Sequence, residues 1–216
     1  DICLVKALLL IGPRLTLLVE SRAGYRNLCR LLTAAALGRV KADPAATWEQ
    51  IAAHAGGLHL LSGGDEGPLA RALDGGDLDG ARRLAERLAR LFPGRVHVEL
   101  QRHGLRAEER RNRLLVELAG RLRLPLVATQ GARYARDSDK PLHDVLTAIR
   151  HHVPLDAAGT RLAAQRERHL KSAAELSRLF RDRPVALVHA FELSERLAFT
   201  LDDLGYRFPD YPLPAG

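Results

Sequence analysis

Apolar and polar positions alternate most clearly between Arg95 and Gln101. Val96, Val98 and Leu100 take turns with His97, Glu99 and Gln101, the period of two expected of a strand. From Glu108 to Leu122 the period lengthens. Leu114, Leu115, Leu118 and Leu122 fall on one stripe with charge on the other faces, which predicts an amphipathic helix. Pro125 to Thr129 (PLVAT) is then a short apolar run of the kind buried in a parallel sheet. Together these predict a strand, a crossover helix and a second strand. Polar residues follow both strand ends: Gln101, Arg102 and His103 after the first, Gln130, Gly131, Arg133 and Tyr134 after the second. Sites in α/β folds are built at such carboxyl ends.

The same periods organise the rest of the chain. Leu15 to Glu20 (LTLLVE) reads as a strand, Ser21 to Gly24 as a turn, and Tyr25 to Leu37 as a helix with Leu28, Leu31, Leu32 and Ala35 on one stripe, closed by Gly38. Thr47 and Gln50 have capping-box spacing at the start of a short helix, and Trp48, the only tryptophan, is expected in the core. Leu58 to Leu61 (LHLL) is a strand, and Asp77 to Leu91 a helix stopped by Phe92-Pro93-Gly94. A helix is predicted over Pro141 to His151, carrying Leu142, Val145, Leu146 and Ile149. Val153 to Arg168 shows no clear period; His169 to Lys171 is a short extended piece. Ser172 and Glu175 repeat the capping-box spacing, and Pro184 opens a last helix to Leu197. Strand and helix alternate throughout, which predicts an α/β architecture, either a parallel barrel or an open sheet.

A length of 216 residues, with 46% hydrophobic and 27% charged positions, describes a globular chain able to bury a core. The formal charge is +7. A nucleic-acid surface explains that excess, and so does arginine enrichment on solvated helix faces, since Asp and Glu are interleaved with the basic residues throughout. Two cysteines, Cys3 and Cys29, form no CxxC pair, which points away from a disulfide framework and towards a reducing cytoplasm. The opening DICLVKALLLIGP holds an apolar run of roughly five residues, too short to span a membrane, and shows no signal-cleavage pattern. A chain that opens on Asp1 rather than Met reads as a fragment.

Candidate chemistry is sparse. Gly63-Gly64 before Asp65 and Glu66 lacks the GxxxxGK[ST] of a phosphate loop, and the two acids would repel phosphate, so the segment reads as a structural turn. Glu99 on the strand and His103 past its end are the candidate metal ligands. His143 and His151 stand eight positions apart, too far for one ion, and Asp144 is placed to pair with Lys140 or Arg150 at the surface. There is no HExxH or GxSxG.

Seven ordered segments carry a resemblance: GYRNLCRLLT (24–33), LLSGGDEGPLARAL (60–73), HVELQRHG (97–104), LPLVATQGARYA (124–135), LHDVLTAIR (142–150), HLKSAAELSRLF (169–180) and LSERLAFTLDDLGYRFPDYPLP (193–214). They resemble the PHP (polymerase and histidinol phosphatase) domain of bacterial C-family DNA polymerases, the polymerase III alpha subunit-like proteins, and RHLKSAAEL and FTLDDLGYRFPDYPLP look closest to the error-prone, damage-tolerant branch. The resemblance implies a PHP-type distorted (β/α)7 barrel over residues 1–198, here lacking its first strand with the family's HxH motif. Residues 199–216 are then an extended exit segment leading towards the polymerase domains. It implies a zinc or manganese cluster at the strand ends of metal-dependent members. Where those members read like ATNDVHY, this chain reads ATQGARY, so Gly131 and Arg133 stand at degenerate ligand positions. Neither can ligate a metal, and Glu99 and His103 would be remnants of a vestigial site. For the parent the resemblance implies magnesium-dependent, DNA-directed synthesis past damage during repair. Its implied partners are the rest of the polymerase chain, DNA, and accessory translesion and sliding-clamp proteins, in the cytoplasm and away from membranes. A stand-alone metal-dependent PHP phosphoesterase and a basic nucleic-acid-binding module are the alternatives.

Overall fold

The computed structural model describes residues 9–10, 14–37, 45–200 and 202. Five strands form the sheet in chain order: β1 (Leu9–Leu10), β2 (Arg14–Val19), β3 (Leu58–Leu61), β4 (Val96–Leu100) and β5 (Leu126–Ala128). The predicted crossover unit is present, with β4 and β5 parallel and Glu99 opposite Val127. β3 and β4 are also parallel.

The expectation of parallel pairing fails at β2, which runs antiparallel to β3 in the register Leu17 to Leu60. The reason lies in the connection. Helices α1 (Arg22–Ala36) and α2 (Trp48–Ala53) intervene, so the chain goes out on one helix and returns on the other. It comes back to the end of β2 that it left, where Glu20 N–H donates to the Gly57 carbonyl at 3.0 Å. A single helix would have returned the chain to the opposite end and made the pair parallel.

Local signals set most helix limits. Thr47 and Gln50 form the capping box of α2, and Ser172 with Glu175 forms that of α7 (Ala173–Leu179). Asp77 accepts from Gly80 N–H at 2.7 Å to cap α4 (Leu78–Leu91). The turn expected over Ser21 to Gly24 is instead the first turn of α1, because the Ser21 hydroxyl accepts from Gly24 N–H and satisfies a free donor there. A Cβ on Gly24 would lie 1.9 Å from the Gly57 carbonyl oxygen, so only glycine lets α1 meet the β3 approach.

Alternation sorts the strand side chains onto two faces. Leu15, Leu17, Val19, Leu58, Leu60 and Val96 pack with Leu28 and Leu31 of α1, Leu88 of α4 and Phe92. Val98, Leu100 and Ala128 continue that face under Leu69 of α3 (Pro68–Asp74), Leu115 and Leu118 of α5 (Arg106–Leu122), and Phe180. On the other face Leu18, Leu61 and Val127 meet Leu193 of α8 (Pro184–Arg196) and Leu197. Trp48 is half-buried at the edge of the first cluster, with the Arg87 guanidinium 4.1 Å above its ring. The result is a mixed α/β fold with helices on both sheet faces. The described strands form an open run, and ring closure is not seen among them. Gly38 and most of the tail expected to run over 199–216 lie outside the described residues.

Each fully buried large side chain contributes about 1.5–3 kcal/mol. Phe92 is fully buried, so Phe92→Ala is expected to cost about 3–5 kcal/mol through lost transfer energy and the cavity left behind. Leu142 is 63% exposed, and Leu142→Ala should stay within about 0.5 kcal/mol of the wild type. Urea denaturation of the two variants checks both values.

Candidate functional site

The carboxyl ends of β4 and β5 open into a cavity of about 390 Å³. Its walls include the 63–67 loop, Glu99, Gln101, Gly131, Arg133, His143 and Arg168. The structure therefore brings Glu99, Gly131 and Arg133 to one site, as their places after the strands predict. His103 anchors the loop beside it.

Glu99 is buried and already engaged. One carboxylate oxygen accepts from Gln101 Nε2 at 2.8 Å and from the Thr129 hydroxyl. Gly131 gives Gln101 its place: with φ +53, a Cβ there would lie 2.6 Å from Gln101 Oε1. The missing side chain at 131 is thus replaced in space by the Gln101 amide.

Both ring nitrogens of His103 are already engaged within the chain. Its Nε2 faces the Gln130 carbonyl at 2.7 Å and its Nδ1 faces Glu108 Oε1 at 2.6 Å, while its backbone N–H donates to the other Glu108 oxygen. Both ring nitrogens thus face oxygen atoms of the chain itself. Glu108 is buried with it, and Asn112, one turn further along α5, donates to the Gln101 carbonyl at 2.8 Å. His103 ties the start of α5 to the end of β5. It acts as a latch between the two elements.

Arg133 and Arg168 put fixed charges where a cation cluster would stand. Arg168 pairs with Asp65 at 2.5 Å, and Arg133 with Glu66 at 3.3 Å. Asp65 and Glu66, read from sequence as the acids of a structural turn, are acceptors for two distant arginines. Helix α3 begins only at Pro68, behind them. Close by, the Gln130 amide bonds the backbone of Lys171 in both directions, at 2.8 and 3.1 Å, and Tyr134 bridges in parallel to His169. Arg102 turns away from the cavity: it grips Asp182 through two bonds, holding that carboxyl at about 2, and lies 5.1 Å from the Phe180 ring centroid.

Sequence reasoning missed a second polar cluster. His59 and His97 share a face of the sheet near the amino ends of β3 and β4, with His59 Nδ1 3.0 Å from His97 Nε2. Burial holds both below the ordinary histidine range, His97 at about 4, and the neighbouring His59 lowers it further. Glu20 lies 3.5 Å from His59 Nε2. The available signal was a lone histidine within each apolar strand, LHLL and VHVEL. Among the described residues no group of three or more His, Cys, Asp or Glu side chains is placed to hold a metal ion.

Residues 11–103 match the PHP domain, a span that takes in β2, β3, β4 and His103. Over that span the chain is similar to the PHP domain. It is 40% identical over 208 residues to an error-prone DNA polymerase of Mycolicibacterium paratuberculosis, covering 95% of this chain and 19% of that protein. The error-prone DNA polymerase of Mycobacterium bovis is 39% identical over the same length. That of Brucella suis is 34% identical over 205 residues, covering 94% of this chain and 18% of the relative. The chain thus spans about a fifth of the length of the curated relatives it matches. None of its described helices is long and apolar enough to cross a membrane.

Two outcomes follow from the buried histidines. The folded-state pKa of His97 is about 4 against an ordinary 6.5, so the unfolded chain binds more protons between those values. The stability is fully present above pH 6.5 and falls as pH drops towards 4, by about 3 kcal/mol in all. Urea midpoints recorded from pH 7.5 to 4.5 should show this slope, and His97→Leu should flatten it. At the other cluster, His103→Ala keeps the backbone bond to Glu108 but leaves its other oxygen buried without the ring. A loss of about 1–3 kcal/mol is expected in thermal or urea melts.

Proposed function

We propose that this chain is the PHP-domain segment of an error-prone, DNA-directed DNA polymerase, and that it acts there as a structural platform rather than a hydrolytic centre. The observation that carries the second half is the state of the strand-end cavity. Arg133 and Arg168 neutralise Glu66 and Asp65 from within the chain. A metal cluster at a phosphoesterase site neutralises phosphate and lowers the pKa of a bound water. Guanidinium groups supply the charge without the water activation, and their repulsion opposes a divalent ion at close range. His103 spends both ring nitrogens on Glu108 and Gln130. The donor set does not fit a zinc or manganese cluster, and no step is assigned to one.

Nucleotide transfer belongs, in this reading, to palm-domain aspartates elsewhere in the parent, with magnesium. Its setting is DNA repair in the cytoplasm, with DNA, translesion accessory proteins and a sliding clamp as the parent's partners. The five strands are read as an arc of a (β/α)7 barrel. The extended 168–171 segment beside residues 130–134 supports that reading, since it continues the parallel order past β5.

The test begins with the intact gene product that contains this segment. Primer extension on a template is expected from it, and a buried-strand substitution, Val98→Asp, should abolish that synthesis by unfolding the platform. After a chelator wash, metal analysis of the same protein should find less than one zinc or manganese ion per chain retained in the PHP segment. A short gene product retaining two or three such ions, with phosphoester hydrolysis lost on chelation and restored by metal, would falsify the proposal in favour of a stand-alone phosphoesterase.

A further inference from the structure

Helix α6 (Lys140–Arg150) is built inside out. Leu142, Val145, Leu146 and Ile149 make one stripe at i, i+3, i+4 and i+7, and they are 63%, 41%, 56% and 63% exposed. Leu155, just beyond the helix, is exposed as well. The opposite face, Lys140, Asp144 and Thr147, is polar and turned towards the domain. The side chains of Lys140 and Asp144 are only 14% and 15% exposed and pair at 2.5 Å. Thr147 spends its hydroxyl on the His143 carbonyl.

The ground beneath this helix is under-satisfied. His143 lies 5.4 Å from the Tyr134 ring, and Tyr134 Oη, His143 Nδ1 and Asp144 Oδ1 are buried with no hydrogen-bond partner among the described residues. An amphipathic helix normally buries its apolar stripe and hydrates its polar one. Here the polar side is held down on the domain and the apolar side faces out. Scattered exposed apolar residues need no explanation, but a continuous stripe of this kind marks an interaction surface.

We propose that the outer stripe of α6 is a docking surface for a further domain of the same polypeptide. The inference rests on the platform reading above and names the face that the platform presents. Two observations select this occupant. The matched error-prone polymerases are about five times as long as this chain, which covers 19% of one of them, so most of such a polypeptide lies outside this segment. The carboxyl end of the stripe also runs into exposed Arg150, His151 and His152, with Arg150 on the flank that reaches the rim of the strand-end cavity. Arg150 has no ion-pair partner among the described residues. A complementary surface is therefore an apolar groove with acidic groups at the end that meets Arg150.

The experiment places a photo-crosslinking amino acid at Leu146 or at Ile149 in the intact polypeptide, with Arg110 on α5 as an exposed control position. Mass spectrometry then identifies the captured peptide. The expected result is one dominant intramolecular crosslink from both stripe positions to residues outside 1–216, at least tenfold above the Arg110 control. The double variant Leu146→Asp with Ile149→Asp should remove the protection of that captured region from limited proteolysis. Crosslinks between two copies, crosslinks confined to residues 1–216, or yields equal to the control each overturn the docking face. Those results leave the platform reading to stand or fall on Val98→Asp and primer extension, so the two failures are distinguishable.

Discussion

Strand β4 is buried along its whole length, and its two faces have opposite chemistry. Val96, Val98 and Leu100 enter the helical layer, while His97, Glu99 and Gln101 enter the other side of the sheet. Burying three polar side chains in a row is costly unless each finds a partner. Neighbouring and distant residues answer part of that demand, with His97 Nδ1 and Gln101 Oε1 left without a partner among the described residues. His97 meets His59 from β3, Glu99 takes Gln101 and Thr129, and the Gln101 carbonyl takes Asn112 from α5. One strand thereby ties its neighbours and its crossover helix into a single register.

That constraint also explains why the strand-end cavity has the character it does. Glu99 is oriented by groups of its own chain, and the next acids outward, Asp65 and Glu66, are met by arginines from positions 168 and 133. The cavity is polar and charged, and two of its carboxylates are matched by arginines of the same chain. The two histidine environments divide along the same line. His103 meets an oxygen at each ring nitrogen, whereas His59 and His97 share one contact in a desolvated layer and resist protonation.

The buried polar row of β4 and the exposed apolar stripe of α6 lie in different parts of the fold. The sheet faces are covered by α1, α4 and α5 on one side and by α8 on the other. The connection after β5 is different. There α6 uses its polar face to hold on and leaves leucines outside.

Much of this was legible in the residues alone. Alternation at 96–101, the apolar run at 125–129 and the two capping boxes fixed the strands, the crossover and the helix starts, because those signals are local and act through neighbouring backbone groups. The placement of Glu99, Gly131 and Arg133 at one rim followed from the same rule. Pairing across distance was not legible. The antiparallel β2 depended on a helical hairpin returning to its starting edge. The Arg168–Asp65 pair spans 103 positions. The latch role of His103 depended on Glu108 and the Gln130 carbonyl converging on one ring. Helical spacing revealed the stripe on α6, and only the tertiary structure decided that it faces outward. Periodicity says which residues share a face; what that face meets is set by the packing of the whole chain.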